Sequence, residues 1–178
     1  MRTAPATVLL MAVAFAVCLT WRSTASSDPA APALAGSLLA APGSSHVEQE
    51  VIATILASYE YLKQHKTSNP EDYPRDGALE FWSSGGLIHR IEPGGRGERY
   101  DSFNVVPSDI KVVAHSDTVA TALFYAEGSF KPKGYPAVSN YLVRVTTTLV
   151  KENDRWVAPV SHWSPILGGS GTSQTAVE

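Results

Sequence analysis

The spacing of the apolar residues changes once along this chain, from a helical period to a strand period. Between residues 45 and 66 apolar side chains recur every three or four positions, with charged and amide side chains opposite them. From residue 87 onward the period is two, and Thr, Val and Tyr dominate, as strands prefer. The order predicts an α+β domain in which N-terminal helices pack on one face of a curved antiparallel sheet.

Helix-capping, proline and turn residues predict where these elements begin and end. The first helix is expected to start at the capping box Ser45–Glu48 and to end near Lys66, because Asn69-Pro70 breaks it. A second, shorter helix is expected after Pro74, carrying Leu79, Phe81 and Trp82. A small hairpin should pair residues 87–92 with 98–103, and a turn at 152–154 should join the last two strands. The long strands are expected at 110–115, 119–130, 141–151 and 156–163.

The first 25 residues have the features of a secretory signal peptide. Arg2 precedes the apolar run Val8–Leu19, and Ser23-Thr24-Ala25 offers small residues for cleavage. We therefore expect a secreted or periplasmic protein with no stable membrane span after leader removal, since a span needs about 20 apolar residues. The alternative is a protein anchored in the membrane through an uncleaved leader. A lipid anchor at Cys18, the only cysteine, is less favoured because Val17 precedes it.

Composition divides the remainder of the chain and excludes some partners. Residues 26–44 are rich in Ala, Pro and Ser and predict a flexible linker, 45–166 the folded domain, and 167–178 a flexible tail. Removing the leader takes away two arginines and no acid, so the net charge goes from −3 to −5. A surface of this sign repels phosphate backbones, and we expect no nucleic-acid partner.

His162, Ser164 and Arg144 are the polar residues of the last strands with the clearest potential for binding. His162 and Ser164 share one face of a strand, and if that face points into the domain they could orient a polar ligand or a water. The alternative is a structural hydrogen-bonded pair. Arg144 lies in mid-strand, where it either faces an anion in a pocket or is solvated or salt-bridged at the surface.

Glu127 and Tyr125 form the pair that we nominate as catalytic. They share a strand face, and a carboxylate beside an apolar wall has a raised pKa and can act as a base. Trp82 is expected either to line a ligand pocket or to belong to the core. The histidines have no metal-ligand spacing and no cofactor motif is present, so neither a metal nor a cofactor is expected.

The end of the domain resembles one branch of the nuclear transport factor 2-like superfamily. Trp156, His162 and Ser164 follow a charged hairpin and are similar to the ending shared by SnoaL-like proteins and the association domain of calcium/calmodulin-dependent kinase II. Arg144 falls where that branch often carries a pocket arginine. The resemblance covers Ser45–Ile166 and implies a cone-shaped, cystatin-like fold with a concave pocket. Relatives include isomerases, hydrolases, dehydratases and scaffolds, so the fold implies no activity.

Three functions follow as hypotheses. The first is an exported SnoaL-like domain that binds a small molecule in the cone pocket and forms a homodimer through the open face of its sheet. The second is an acid–base enzyme of isomerase, dehydratase or hydrolase type acting on an apolar substrate. The third is an oligomeric scaffold.

Overall fold

The computed structural model describes residues 44–95 and 97–174. The predicted signal peptide and nearly all of the predicted linker lie outside these residues. None of the helical segments within the described ranges is long and apolar enough to cross a membrane.

The first helix forms where the apolar period predicts it. Helix α1 spans Ser44–His65 and buries one stripe of Val47, Val51 and Ile55 against the sheet. It ends at Lys66, which has a positive φ of 57° and whose amide donates to the Leu62 carbonyl. A short 3₁₀ turn, Pro70–Asp72, follows it, capped by the side chain of Asn69.

Six strands form one mixed sheet beneath α1. In sheet order they run β2-β1-β6-β5-β4-β3, and every neighbouring pair is antiparallel except β1 and β6, which are parallel. The turn between the last two strands is confirmed, with Asn153 and Asp154 at positive φ. The strands are β1 Ala78–Phe81, β2 His89–Ile91, β3 Tyr100–Ser116, β4 Val119–Pro132, β5 Val138–Glu152 and β6 Arg155–Pro165.

Two predicted elements between residues 74 and 103 are wrong. The segment after Pro74 is strand β1, not a second helix, because pairing on both sides, with β6 and β2, outweighs a weak helical pattern that runs into Ser83–Gly86. The small hairpin joins β2 to β1, whereas residues 100–103 belong to β3 and pair with β4.

The C-terminal segment packs along the domain, although the sequence predicted a flexible tail there. Ser170 bridges to β5, where its amide donates to the Asn140 carbonyl and its carbonyl accepts from the Leu142 amide. Gln174 is only 5% exposed. Gly171 passes so close to the Ser83 carbonyl that a Cβ there would lie 2.1 Å from its oxygen, so the small residues that suggested flexibility instead allow close packing.

The core lies between α1 and the inner face of the sheet. Along β4 and β5 buried and exposed residues alternate, so each strand presents one apolar row to the helix. The inner row of β4 contains three fully buried alanines around Phe124. On the other side of the sheet the outer face is uncovered within the described residues.

Candidate functional site

A cavity of about 200 Å³ lies between α1 and the inner face of the sheet. Its walls are mainly aromatic and apolar, and its lining includes three carboxylates, Asp72, Glu80 and Glu98. Ligand pockets typically combine an apolar lining with a few polar groups, and this cavity does the same. The tyrosines and tryptophans in its wall are Tyr59, Tyr73, Tyr100, Tyr141, Trp82, Trp156 and Trp163.

Four polar residues form a row across the inner face of the sheet. In register from strand to strand they are Thr147 on β5, Ser161 on β6, Glu80 on β1 and His89 on β2. The hydroxyls of Thr147 and Ser161 are 2.8 Å apart. All four residues line the cavity, so the register of short β1 brings a carboxyl and an imidazole beside two hydroxyls.

Glu80 supplies the carboxyl of this row and is buried, at 8% exposure. The indole nitrogen Nε1 of Trp82 donates to Oε2 of Glu80 across 3.0 Å. Burial raises the pKa of Glu80 to about 7, and the charge of Glu98 pushes it in the same direction, while the Trp82 hydrogen bond opposes the rise. A carboxyl of this pKa exchanges its proton near neutral pH, as an acid–base group must.

Asp72 and Glu98 are the other carboxyls of the cavity. Burial raises the pKa of Asp72 to about 6, against a hydrogen bond from Ser58 that lowers it. Glu98 accepts a hydrogen bond of 2.6 Å from the side-chain amide of Gln174, in the C-terminal segment. Thr172 and Gln174 also line the cavity, so this segment forms part of its wall.

Four tyrosines line the cavity together with Glu80. Burial raises the pKa of Tyr59, Tyr73, Tyr100 and Tyr141 above its ordinary value, for Tyr141 to about 12. The charge of Glu80 contributes to the increase at each of them. These phenols therefore stay protonated and can donate hydrogen bonds to a bound molecule.

Trp82, which the sequence nominated as a pocket residue, lines the cavity. Its ring lies against the imidazole of His89, with 4.2 Å between ring centroids and 42° between their planes. The contact holds the indole beside β2 while its N–H reaches Glu80.

Tyr125, Arg144, Ser164 and Glu127 lie on the outer face of the sheet, away from the cavity. Tyr125 pairs with Arg144 across β4 and β5, and Arg144 pairs with Ser164 across β5 and β6. Arg144 Nε donates to Ser164 Oγ at 2.8 Å. Glu127 is exposed two residues further along β4. The structure thus brings three of these residues into one row, which does not face the cavity.

His162 also lies on the outer face, where it is exposed and contacts the edge of Phe81 at 5.7 Å between centroids. The reason is a β-bulge in β6. The strand carries one extra residue between Val157 and Val160, next to Pro159, which has no N–H to pair. Trp156 before the bulge lines the cavity, whereas His162, an even number of residues later, points the other way.

Sequence reasoning missed Glu80, Asp72, Glu98 and the tyrosines around them. The signal at Glu80 was an isolated acid between apolar residues, Ala78-Leu79 on one side and Phe81-Trp82 on the other. Glu80 faces the cavity because this segment is strand β1. Four residues are too few to show the alternating pattern that identifies a strand. Within the described ranges no three His, Cys, Asp or Glu side chains are grouped as metal ligands.

Neither a family model nor a curated protein sequence matches the chain, but solved structures do. A proposed aromatic ring hydroxylase from Novosphingobium aromaticivorans is 13% identical, with 70% of this chain and 92% of that one covered and a TM-score of 0.53. A proposed scytalone dehydratase from the same organism is 11% identical, with coverage of 72% and 88% and a TM-score of 0.53.

A third match is a proposed dehydratase of the nuclear transport factor 2-like family from Streptomyces avermitilis. It is 17% identical, covers 68% of this chain and 97% of its own, and has a TM-score of 0.49. Similarity at sequence identities this low indicates a shared fold and not a shared function. With a long helix on a six-stranded mixed sheet, the domain has the nuclear transport factor 2-like fold that the sequence resemblance predicted.

Proposed function

We propose that this domain binds a small, largely apolar molecule in the cavity between α1 and the sheet. The observation that carries the proposal is the buried carboxyl of Glu80 in an aromatic-lined cavity of about 200 Å³. Burial of a carboxyl without a charged partner is costly, and a bound molecule that pairs with it offsets part of that cost.

A binding screen on the purified protein tests this proposal. Small aromatic compounds that bind should raise the melting temperature, because a ligand of the folded state stabilises it by mass action. Glu80→Gln should weaken this stabilisation, whereas Glu127→Gln, the same change on the outer face, should leave it intact. A panel with no binder, or with binders equally affected by both changes, would contradict the proposal.

A second candidate function is acid–base catalysis in the same cavity, favoured by the raised pKa of Glu80. A group with a pKa of about 7 can both take and return a proton at neutral pH, and the tyrosine hydroxyls around it can hold a substrate oxygen. Two of the matched structures are proposed to be a hydroxylase and a dehydratase, which supports an enzyme on this fold. We therefore propose Glu80 as the acid–base group, in place of the pair Glu127 and Tyr125 that the sequence nominated.

An exchange experiment separates the enzyme from the binding domain. An enzyme that removes a proton next to a carbonyl should exchange that proton of a bound ketone for deuterium in heavy water. The exchange should stop in Glu80→Gln and persist in Glu127→Gln. Bound ketones that show no exchange would leave the binding function and exclude this class of catalysis.

We also propose that two copies associate through the outer face of the sheet. Large apolar side chains are exposed there on three strands, Phe81 on β1, Leu123 and Tyr125 on β4, and Val160 on β6, each between 43% and 49% exposed. Patches of this kind are typical of protein contacts. A ring of more than two copies would instead favour the scaffold hypothesis.

Finally, we propose that the leader directs export and is removed. The support is the order of positive charge, apolar run and small residues in the first 25 positions. N-terminal sequencing of protein recovered outside the cytoplasm of the expression host should read from Ser26. A start at Met1 or Arg2 in the membrane fraction would favour the uncleaved anchor.

A further inference from the structure

We propose that the ligand of this cavity is a cation, a molecule in which an ammonium group on an aromatic or aliphatic body pairs with Glu80. The inference rests on the proposed binding function and specifies the chemical class of its ligand.

The charges that line the cavity have one sign. Asp72, Glu80 and Glu98 all lie in its wall, and the described lining residues include no lysine or arginine. The ion pairs among the described residues are made by other acids, so none of these three carboxylates pairs with a described lysine, arginine or histidine. An anionic ligand would meet like charge there, whereas a cation would supply the missing partner.

Glu80 has an acceptor atom in this cavity that no described residue uses. Trp82 occupies Oε2, and Oε1 accepts no hydrogen bond from the described residues although the residue is only 8% exposed. An ammonium group has three N–H donors, and its hydrogen bonds to a carboxylate are among the stronger ones in proteins. Glu98, whose Oε2 already accepts from Gln174, lies near enough to Glu80 to influence its charge.

The remaining walls suit the body of such a molecule. Electron-rich faces of Trp and Tyr attract cations, and the aromatic residues that line this cavity are chiefly of these two types. An apolar cavity of about 150 Å³ accepts benzene. A cavity of about 200 Å³ therefore has room for one ring with a short aminoalkyl chain.

Binding of a cation must change the proton content of the site. The titratable groups near Glu80 are Glu98, Asp72, His89 and the four tyrosines, and the tyrosines stay protonated because burial raises their pKa. At pH 6 the Glu80 carboxyl, with a pKa of about 7, is mostly protonated in the empty cavity. Pairing with an ammonium favours the carboxylate, so the bound amine should displace up to about one proton into the buffer.

Three probes of nearly equal shape test the proposal by calorimetry on the whole protein: 2-phenylethylamine, 2-phenylethanol and phenylacetate. At pH 8, where the Glu80 carboxyl is mostly ionised, the amine should bind at least about tenfold more tightly than the alcohol, since a charged hydrogen bond contributes more than a neutral one, and phenylacetate should bind least. Titrations at pH 6 in two buffers of different ionisation enthalpy should show proton release with the amine and none with the alcohol. Glu80→Gln should remove both the preference and the proton release.

The other outcomes overturn the inference in distinguishable ways. Equal binding of amine and alcohol, or tightest binding of phenylacetate, would refute a cationic ligand while the binding function stands. If none of the three probes binds but other aromatic compounds in the wider screen do, a cationic ligand is likewise refuted and the binding function stands. If no compound of either set binds, both the inference and the proposed function fail. An amine preference that survives in Glu80→Gln would refute the pairing of the ammonium group with Glu80.

Discussion

Trp82 Nε1 donates a hydrogen bond to Glu80 Oε2 across 3.0 Å, from two residues further along the same segment. The bond lies in a site where burial moves the pKa of Glu80 from 4.5 to about 7. The folded protein therefore holds this proton more tightly than the unfolded chain does, and stability depends on pH as a result.

We predict that the protein loses stability as the pH rises from about 4.5 to 7. A carboxyl with a raised folded-state pKa contributes its stability fully below the unfolded pKa and loses it as the pH passes the folded pKa. Asp72, raised to about 6, acts in the same direction. The pKa of Glu50 is lowered chiefly by the Lys151 hydrogen bond, so Glu50 affects stability only at pH values below this range. Urea unfolding at pH 5 and pH 8 should show the fall.

At about 1.4 kcal/mol per pKa unit, the shift from 4.5 to about 7 corresponds to about 3.5 kcal/mol in all. Part of this is already lost at pH 5, so Glu80→Gln should reduce the fall between pH 5 and pH 8 by roughly 2–3 kcal/mol. The exposed Glu127 is the matched control, and Glu127→Gln should leave the pH dependence as it is. An identical fall in wild type and Glu80→Gln would show that the carboxyl titrates normally.

The aromatic cluster under α1 should dominate the stability of the core. The ring of Phe103 lies 5.0–6.3 Å from the rings of Tyr59, Tyr100 and Phe130, measured between centroids. Phe103→Ala should lower the free energy of unfolding by about 3–5 kcal/mol, because it removes buried contacts and leaves a cavity. Asn104→Ala, on the exposed side of the same strand, should change it by about 0.5 kcal/mol or less. Similar values for the two variants would contradict the assigned core.

The C-terminal segment should form part of the cavity wall only if residue 171 has no Cβ. A Cβ at this position would lie 2.1 Å from the Ser83 carbonyl oxygen, so Gly171→Ala should displace the segment and break the Gln174–Glu98 hydrogen bond. Hydrogen exchange of residues 170–174 should become faster, and cavity ligands should bind more weakly. Ser170→Ala is the control, since Ser170 contacts β5 through its backbone. Unchanged exchange in Gly171→Ala would refute this role.

Self-association should depend on the outer face and not on the helix side. Leu123→Asp places a charge within the exposed apolar patch and should shift sedimentation velocity toward the monomer. Ala57→Asp places the same charge on the exposed side of α1 and should leave the dimer intact. A wild-type protein that sediments as a monomer at high concentration would contradict the proposed dimer.

The long elements were predictable because each repeats its pattern many times. Helix α1 shows five apolar positions three or four residues apart, and β4 and β5 alternate over most of their length. Strand β1 has only four residues and is held by its neighbours, so its sequence alone could not reveal it. Because Glu80 sits in that strand, the centre of the candidate site stayed hidden with it.

The sequence also left open which face of the sheet the polar strand residues occupy. A period of two correctly put His162 and Ser164 on one face, but the bulge at Pro159 reverses that face relative to Trp156. On β4 the choice between the row of Phe124 and the row of Leu123 and Tyr125 depends on where the helix packs. Both rows are apolar enough to be buried, so only tertiary packing decides.

Ligand mapping by ¹H–¹⁵N correlation spectroscopy tests the binding cavity most directly. With an aromatic binder from the screen, the indole N–H signal of Trp82 and the backbone amides of Glu80, Ser161 and Tyr141 should shift in a saturable way, while the amides of Tyr125, Arg144 and Glu127 should not. Saturable shifts confined to Tyr125, Arg144, Ser164 and His162 would contradict the cavity and place the binding site on the outer face of the sheet.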